Sequence, residues 1–212
     1  TKTFLSLCLV VISGYYSWIN ISITNVLILP AIFVALILGG VTIYKKHLSP
    51  ITVPIYAVIQ GIFLGAISYT FNSLYDGIVI TAISYTLSIL FVMLTLYRTG
   101  IIKPTENFKL GVAAGTGGIA LIYLANFVMS FFGTGLSIMD INNASMYSIG
   151  FSLLVIVMAS LNLVVDFDFI EEGSEKRAPK YMEWYGAFGL LVTLIWLYLE
   201  ILRLLAKMNS RK

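Results

Sequence analysis

The sequence predicts an all-α integral membrane protein, a bundle of seven transmembrane helices, and three observations carry that expectation. Hydrophobic residues make up 59% of the 212 positions and charged residues 11%, against about 25% charged in a water-soluble domain, which leaves too little polar surface to coat a globule. The apolar residues are gathered into seven long runs. Every charged residue except Glu200 and Arg203 falls outside those runs.

The runs extend over 3–19, 25–44, 51–71, 78–97, 110–132, 144–165 and 184–206. Each is near the length of about 20 residues that a helix rising 1.5 Å per residue needs to cross roughly 30 Å of hydrocarbon. A barrel would need short alternating segments, and buried helices of a soluble protein would need polar faces that these runs lack. The first run is the shortest, but its tail Gly14-Tyr15-Tyr16-Ser17-Trp18 has interface aromatics and no small-x-small cleavage pattern, so it reads as a span rather than a targeting remnant. The lone cysteine, Cys8, lies inside it, which excludes an intrachain disulfide and reads as packing.

The connections Lys45-Lys46-His47-Leu48-Ser49-Pro50, Asn72-Ser73-Leu74-Tyr75-Asp76-Gly77 and Gly133-Thr134-Gly135 are too short for a second domain, so 1–212 reads as one bundle. Pro30 and Pro54 fall within the first turns of their spans, where proline is tolerated. Gly61 with Gly65, and Gly111 with Gly115 and Gly118, recur at helical spacing and read as points of close helix approach. No internal repeat supports an inverted-repeat transporter.

Alternate sides of seven spans carry unequal positive charge. Lys2, Lys45, Lys46, Arg98, Lys103, Lys109, Lys176, Arg177 and Lys180 share one side, while Arg203, Lys207, Arg211 and Lys212 gather at the C-terminal end of the other. The richer side reads as cytoplasmic, with the N-terminus inside. The four terminal cations run against that rule, and a last span that dips into the membrane and returns would put the C-terminus inside as well. The net charge of +3 thus reports orientation in a bilayer rather than affinity for nucleic acid.

No nucleophile and base form a recognisable pair, and neither Gly-x-Ser-x-Gly nor His-Glu-x-x-His occurs, which argues against an enzyme of the hydrolase or zinc-protease kind. His47, the only histidine, sits in a loop beside two lysines and reads as solvated. The sixth run leads into Asp166-Phe167-Asp168-Phe169-Ile170-Glu171-Glu172, acids expected at the C-terminal end of a helix, where the backbone dipole disfavours them. Such a cost suits contact with a cation. On a continuing helix Asp166 and Asp168 point about 200° apart, so only one could face inward, and Asp166, following the apolar run, is the better candidate for a metal or ion contact. Asp168, Glu171 and Glu172 read as interfacial. Glu200 and Arg203 lie deep in the seventh run, three residues apart on one face shared with Thr193. They mark either an ion pathway or a structural pair. Gln60, Asn126 and Asn162 read as interhelical hydrogen-bonding residues.

The stretches 163–171, 178–191 and 196–205, together with Tyr56-Ala57-Val58-Ile59-Gln60-Gly61-Ile62-Phe63-Leu64-Gly65, resemble the Bax inhibitor family of membrane proteins, in a bacterial branch. The resemblance implies six helices wrapped around a central seventh, a bacterial plasma membrane location, and a pH-sensitive calcium leak. It further implies two aspartates, one at the end of span six and one in span seven, that share a proton and control closure, with a basic latch nearby. Asp166 matches the first aspartate, and an alignment anchored on Arg203 puts Thr193 at the second. That departure matters: two carboxylates in contact raise one pKa strongly, whereas a carboxylate beside a threonine is shifted mainly by burial. Glu200 and Asp168 are the acids that could substitute, but Glu200, about 10 Å along the helix from Thr193, cannot simply take over the same contact; Lys45 or Lys46 could serve as latch.

The leading expectation is therefore a proton-sensitive cation channel passing calcium, with no cofactor beyond that ion. The competing one, also implied by bacterial relatives, is a non-conducting regulator that binds a membrane protease or another membrane partner. A small-solute or proton-coupled transporter is the third.

Overall fold

The computed structural model describes residues 2–210; Arg211 and Lys212, counted above among the terminal cations, lie outside the described residues. Seven α-helices follow in order: α1 (Lys2–Ile19), α2 (Ile21–Tyr44), α3 (Ser49–Leu74), α4 (Ile78–Arg98), α5 (Glu106–Phe131), α6 (Met146–Glu175) and α7 (Tyr181–Asn209). Among the described residues there is no strand. Among the described residues six of these helices are long and apolar enough to cross a membrane, and α2 contributes the apolar stretch Ile28–Tyr44.

Local chemistry sets the helix ends. Thr105 caps α5 by accepting the Phe108 N–H at 3.3 Å. Beyond the other end of α5, Gly133 takes φ +73°, and the Gly133 and Thr134 amides reach back to Ser130 O and Met129 O. This is a left-handed cap that satisfies the last carbonyls and favours a residue without Cβ.

Two features differ from the sequence reading. The acidic stretch does not end the sixth helix: α6 continues to Glu175, its last turns supported by the Glu172–Lys176 ion pair one turn apart. Pro30 and Pro54 lie inside their helices and past the first turn, because α2 begins at Ile21 and α3 at Ser49, and the Val26 and Pro50 carbonyls consequently lose their helical donors.

Along α1 burial is inverted relative to a water-soluble protein. The buried residues of α1 are Ser6, Ser13 and Ser17, while Phe4, Val11, Ile12 and Tyr15 on the same helix are exposed. Along α5 only Val112 and Ile119 are buried. Contiguous apolar surface of this extent far exceeds the few hundred Å² that soluble monomers expose, and hydrocarbon is the solvent that accommodates it. The inward hydroxyls find partners within the protein, as they must without water. Ser13 Oγ donates to Leu9 O at 2.7 Å, Ser17 Oγ to Ile62 O at 2.8 Å, and Thr42 Oγ1 to Thr52 Oγ1 at 2.7 Å. These are the helices of an integral membrane protein.

The chain forms two compact units, Thr1–Asp76 with Phe169–Val192, and Gly77–Asp168 with Thr193–Lys212. In the first, α1 and α2 pack against α3. Gly61 and Gly65 let α1 approach: a methyl at Gly61 would overlap Ser13 Oγ and the Val10 carbonyl, and one at Gly65 the Gly14 carbonyl. Phe188 of α7 stacks edge-on against Tyr56 at 5.0 Å, and Ser49 Oγ donates to Tyr181 O at 2.7 Å. In the second unit Gly115 of α5 receives the Met158 side chain of α6, whereas Gly111 and Gly118 face open space.

These contacts separate two classes of glycine. Gly65→Ala should lower the thermal unfolding midpoint in detergent, because backbone rather than a movable side chain occupies the space, at a cost of about 1–3 kcal/mol. Gly118→Ala should leave it unchanged or raise it slightly. Equal midpoints for the two variants would show that the α1–α3 approach does not limit stability.

Candidate functional site

Because α6 runs past Asp166 without a break, that carboxylate stands on a continuous helix and not at a dipole-disfavoured end. Thr193, in the middle of α7, is buried, and its Oγ1 donates to Asp166 Oδ2 at 2.6 Å. The two positions singled out in spans six and seven therefore meet. Asp168 points elsewhere, as continued helical geometry requires, and pairs at 2.7 Å with Lys109 in the first turn of α5. Four residues before Asp166, Asn162 Nδ2 donates to Thr116 Oγ1 of α5 at 2.6 Å.

Two turns further along α7, Glu200 is buried, 1% exposed, and does not stand alone with Arg203. Its Oε2 accepts from Arg203 Nη1 at 2.6 Å and from Tyr123 Oη of α5 at 2.7 Å; Arg203 Nη1 also donates to Tyr123 Oη at 3.0 Å. Three groups thus close a triangle that ties α5 to α7. Oε1 of the same carboxylate is buried with no hydrogen-bond partner among the described residues, an uncommon state for a charged oxygen.

Two turns further still lies Lys207, which the sequence reading counted only among the cations at the C-terminal end, past the last apolar run. In the structure Lys207 is 0% exposed, because α7 extends beyond 206 and carries it inward. Its Nζ donates to Ile138 O at 2.9 Å, Ser148 O at 3.2 Å and Ser152 Oγ at 3.0 Å. An ammonium has three donors, and each has an oxygen. Thr193, Glu200 and Lys207 recur every seven residues, so they drift only about 20° per step around the helix. They form one polar file about 21 Å long at 1.5 Å per residue, of the same order as a hydrocarbon core.

The remaining candidates lie apart from this file or serve it locally. Lys45 and Lys46 are exposed, and Lys46 Nζ stands 5.0 Å from the centre of the Tyr185 ring. Gln60 bonds within its own helix, to Tyr56 Oη at 2.9 Å, and Asn126 Oδ1 accepts the Leu136 amide of the following connection at 2.8 Å; of the three amides expected between helices, only Asn162 bridges two. Among the described residues no three His, Cys, Asp or Glu side chains converge on a metal-sized space, so an ion at Asp166 would draw its other oxygens from hydroxyls, carbonyls or water. Tyr123 and Lys207 were missed by the sequence reading. The seven-residue recurrence of Thr193, Glu200 and Lys207 was the signal that could have found Lys207; Tyr123 had none.

The triangle predicts an asymmetry between single and double substitutions. Arg203→Met should destabilise the protein by about 3 kcal/mol, since it leaves a buried carboxylate uncompensated. Arg203→Met combined with Glu200→Leu should recover most of that loss, measured by thermal unfolding in detergent. A double variant as unstable as the sum of its singles would mean that the pair is not coupled.

No curated protein and no solved structure gives a significant match to this chain. A family described as Bax inhibitor 1 like does match, over residues 1–210. That span takes in all seven helices and every residue of the polar file, and the chain belongs to the Bax inhibitor 1 like family.

Proposed function

We propose that this protein is a pH-sensitive cation leak channel that passes calcium, a conduit and not a catalyst, with Asp166 as its proton- and ion-responsive carboxylate. The observation that carries this reading is the polar file on α7, with Asp166 hydrogen-bonded at one end, buried Glu200 in the middle and buried Lys207 at the other end. Ionisable groups inside a span cost on the order of 2.5–3.5 kcal/mol each at the bilayer centre, and a single file concentrates that cost on one path. Glu200 Oε1, without a hydrogen-bond partner among the described residues, offers lone pairs to a cation or water moving along it.

In the same reading the chain crosses a bacterial plasma membrane seven times, with α7 central and the N-terminus cytoplasmic. The burial of Ala187, Leu191, Leu197, Leu202 and Ala206 on several faces of α7 supports that position for the helix. Asp166 does not share a proton with a second carboxylate, because its partner is Thr193. Its charge is lost when it takes up one proton of its own, and cation entry falls with it. Lys45 or Lys46 would serve as the latch. The rival reading, a non-conducting regulator of a membrane protease or another membrane partner, has one observation in its favour. A groove of about 340 Å³ lies among Ala35, Gly39, Gly40, Tyr56 and Phe188 of the first unit, a shape that would accept another helix.

Protein in liposomes should pass calcium at a rate that falls as pH is lowered, and Asp166→Asn should give a low, pH-independent rate. Equal flux from wild type and variant at every pH would remove Asp166 from the mechanism, and no flux from either, with a membrane partner recovered by crosslinking, would favour the regulator. A separate arm tests the threonine. Thr193→Asp places two carboxylates in contact, which then hold one proton between them more tightly, so the flux midpoint should move to higher pH; an unmoved midpoint would mean that residue 193 does not influence the titrating group.

A further inference from the structure

The cage around Lys207 is built like a cation site. Ile138 O comes from the connection between α5 and α6, Ser148 O and Ser152 Oγ from the first turns of α6, and all three converge within 2.9–3.2 Å of one nitrogen. The cage has its own scaffolding: Ser148 Oγ donates to Ile138 O at 3.0 Å, holding that carbonyl in place, and Ser148 and Ser152 are both 0% exposed. No carboxylate hydrogen-bonds the ammonium among the described residues; Glu200, Arg203 and Asp140 are the charged groups that act on it from a distance. A cage of two carbonyls and a hydroxyl is neutral, so it suits a singly charged cation of ammonium type, whereas a calcium site would be expected to use carboxylates.

A purely structural lysine would be expected at the protein surface with its stem buried and its charge in water. Lys207 instead brings its charge fully inside, on the face that carries Thr193 and Glu200, at the end of the polar file opposite Asp166. We propose that the Ile138–Ser148–Ser152 cage is a monovalent-cation site occupied by the protein's own Lys207 ammonium, which acts as a tethered plug at that end of the file. The occupancy half of this inference stands on geometry alone; the plug half rests on the conduction reading. While the ammonium is seated, the cage oxygens are unavailable to a passing ion, and the fixed positive charge opposes cation entry.

Lys207→Ala removes three methylenes and the ammonium, and n-propylammonium supplies those same atoms. In detergent, n-propylammonium should raise the unfolding midpoint of Lys207→Ala and not that of wild type, while n-propanol should raise neither. In liposomes, Lys207→Ala should increase potassium flux several-fold, and n-propylammonium should return it to the wild-type rate. A variant whose midpoint ignores n-propylammonium overturns the cage as a cation site. A midpoint that responds, with wild-type leak unchanged by the substitution, overturns the plug; no leak from wild type or variant overturns the conduction reading and leaves the cage standing. Should Lys207→Ala not fold, Ser152→Ala keeps the amine and removes one of its oxygens, and must raise the leak in its place; unchanged flux in that variant overturns the plug.

Discussion

A hydroxyl, an amine or a carboxylate inside a bilayer has no water to turn to, and the placement of side chains in this protein follows from that constraint. Apolar side chains can face outward at no cost, whereas polar groups must find partners inside the protein. Ser6, Ser13 and Ser17 are the buried residues of α1, Thr24 and Thr42 are buried in α2, and Ser148 and Ser152 in α6. Small hydroxyl residues also permit close approach, so the choice that satisfies hydrogen bonding brings helices within packing distance. The α1–α3 contact combines both effects, since Ser17 bonds to Ile62 O where Gly65 leaves room.

The same constraint explains why charge is concentrated on α7. One buried ion is expensive unless several groups share its neutralisation. Glu200 is met by a cation from its own helix and a phenol from α5, and Lys207 by three oxygens from a connection and α6. Each arrangement needs contributions from distant parts of the sequence, so these polar clusters also specify which helices stand next to α7 within their unit. Lys207 gains further from its position in the last turn of a long helix, where the carbonyl end of the dipole favours a cation.

Most of the fold was legible in the sequence because a single property, unbroken apolarity over about 20 residues, is both what a bilayer demands and what a reader can count. The starts and ends of α1, α4 and α5 lie within a few residues of the apolar runs. Legibility failed where helix and hydrocarbon part company. The residues from Asp166 to Glu175 are charged enough to leave the membrane, yet they keep helical geometry through Phe169, Ile170 and the Glu172–Lys176 pair, so hydropathy placed the helix end too early. Pro30 was misplaced for the same reason, since α2 begins before its apolar run does. Within the site, alignment to a family brought Asp166 and Thr193 to one point, but Tyr123 was hidden among aromatic residues that a membrane protein carries everywhere. Lys207 was hidden by its closeness to the C-terminal cations Arg211 and Lys212.

Threonine at 193 changes the character of the file as a whole. With a second acid there, the Asp166 end would hold two carboxylates and a shared proton, and the charges along α7 would run from a doubly acidic end to Lys207. With threonine, the hydroxyl donates to Asp166 Oδ2 and brings no charge of its own. The formal sequence along the file becomes one anion at Asp166, a neutralised pair at Glu200 and Arg203, and one cation at Lys207. Opposite charges at the two ends, separated by about 21 Å, interact weakly through the intervening helices. The polar file is thus built as two locally satisfied ends joined by a neutral middle.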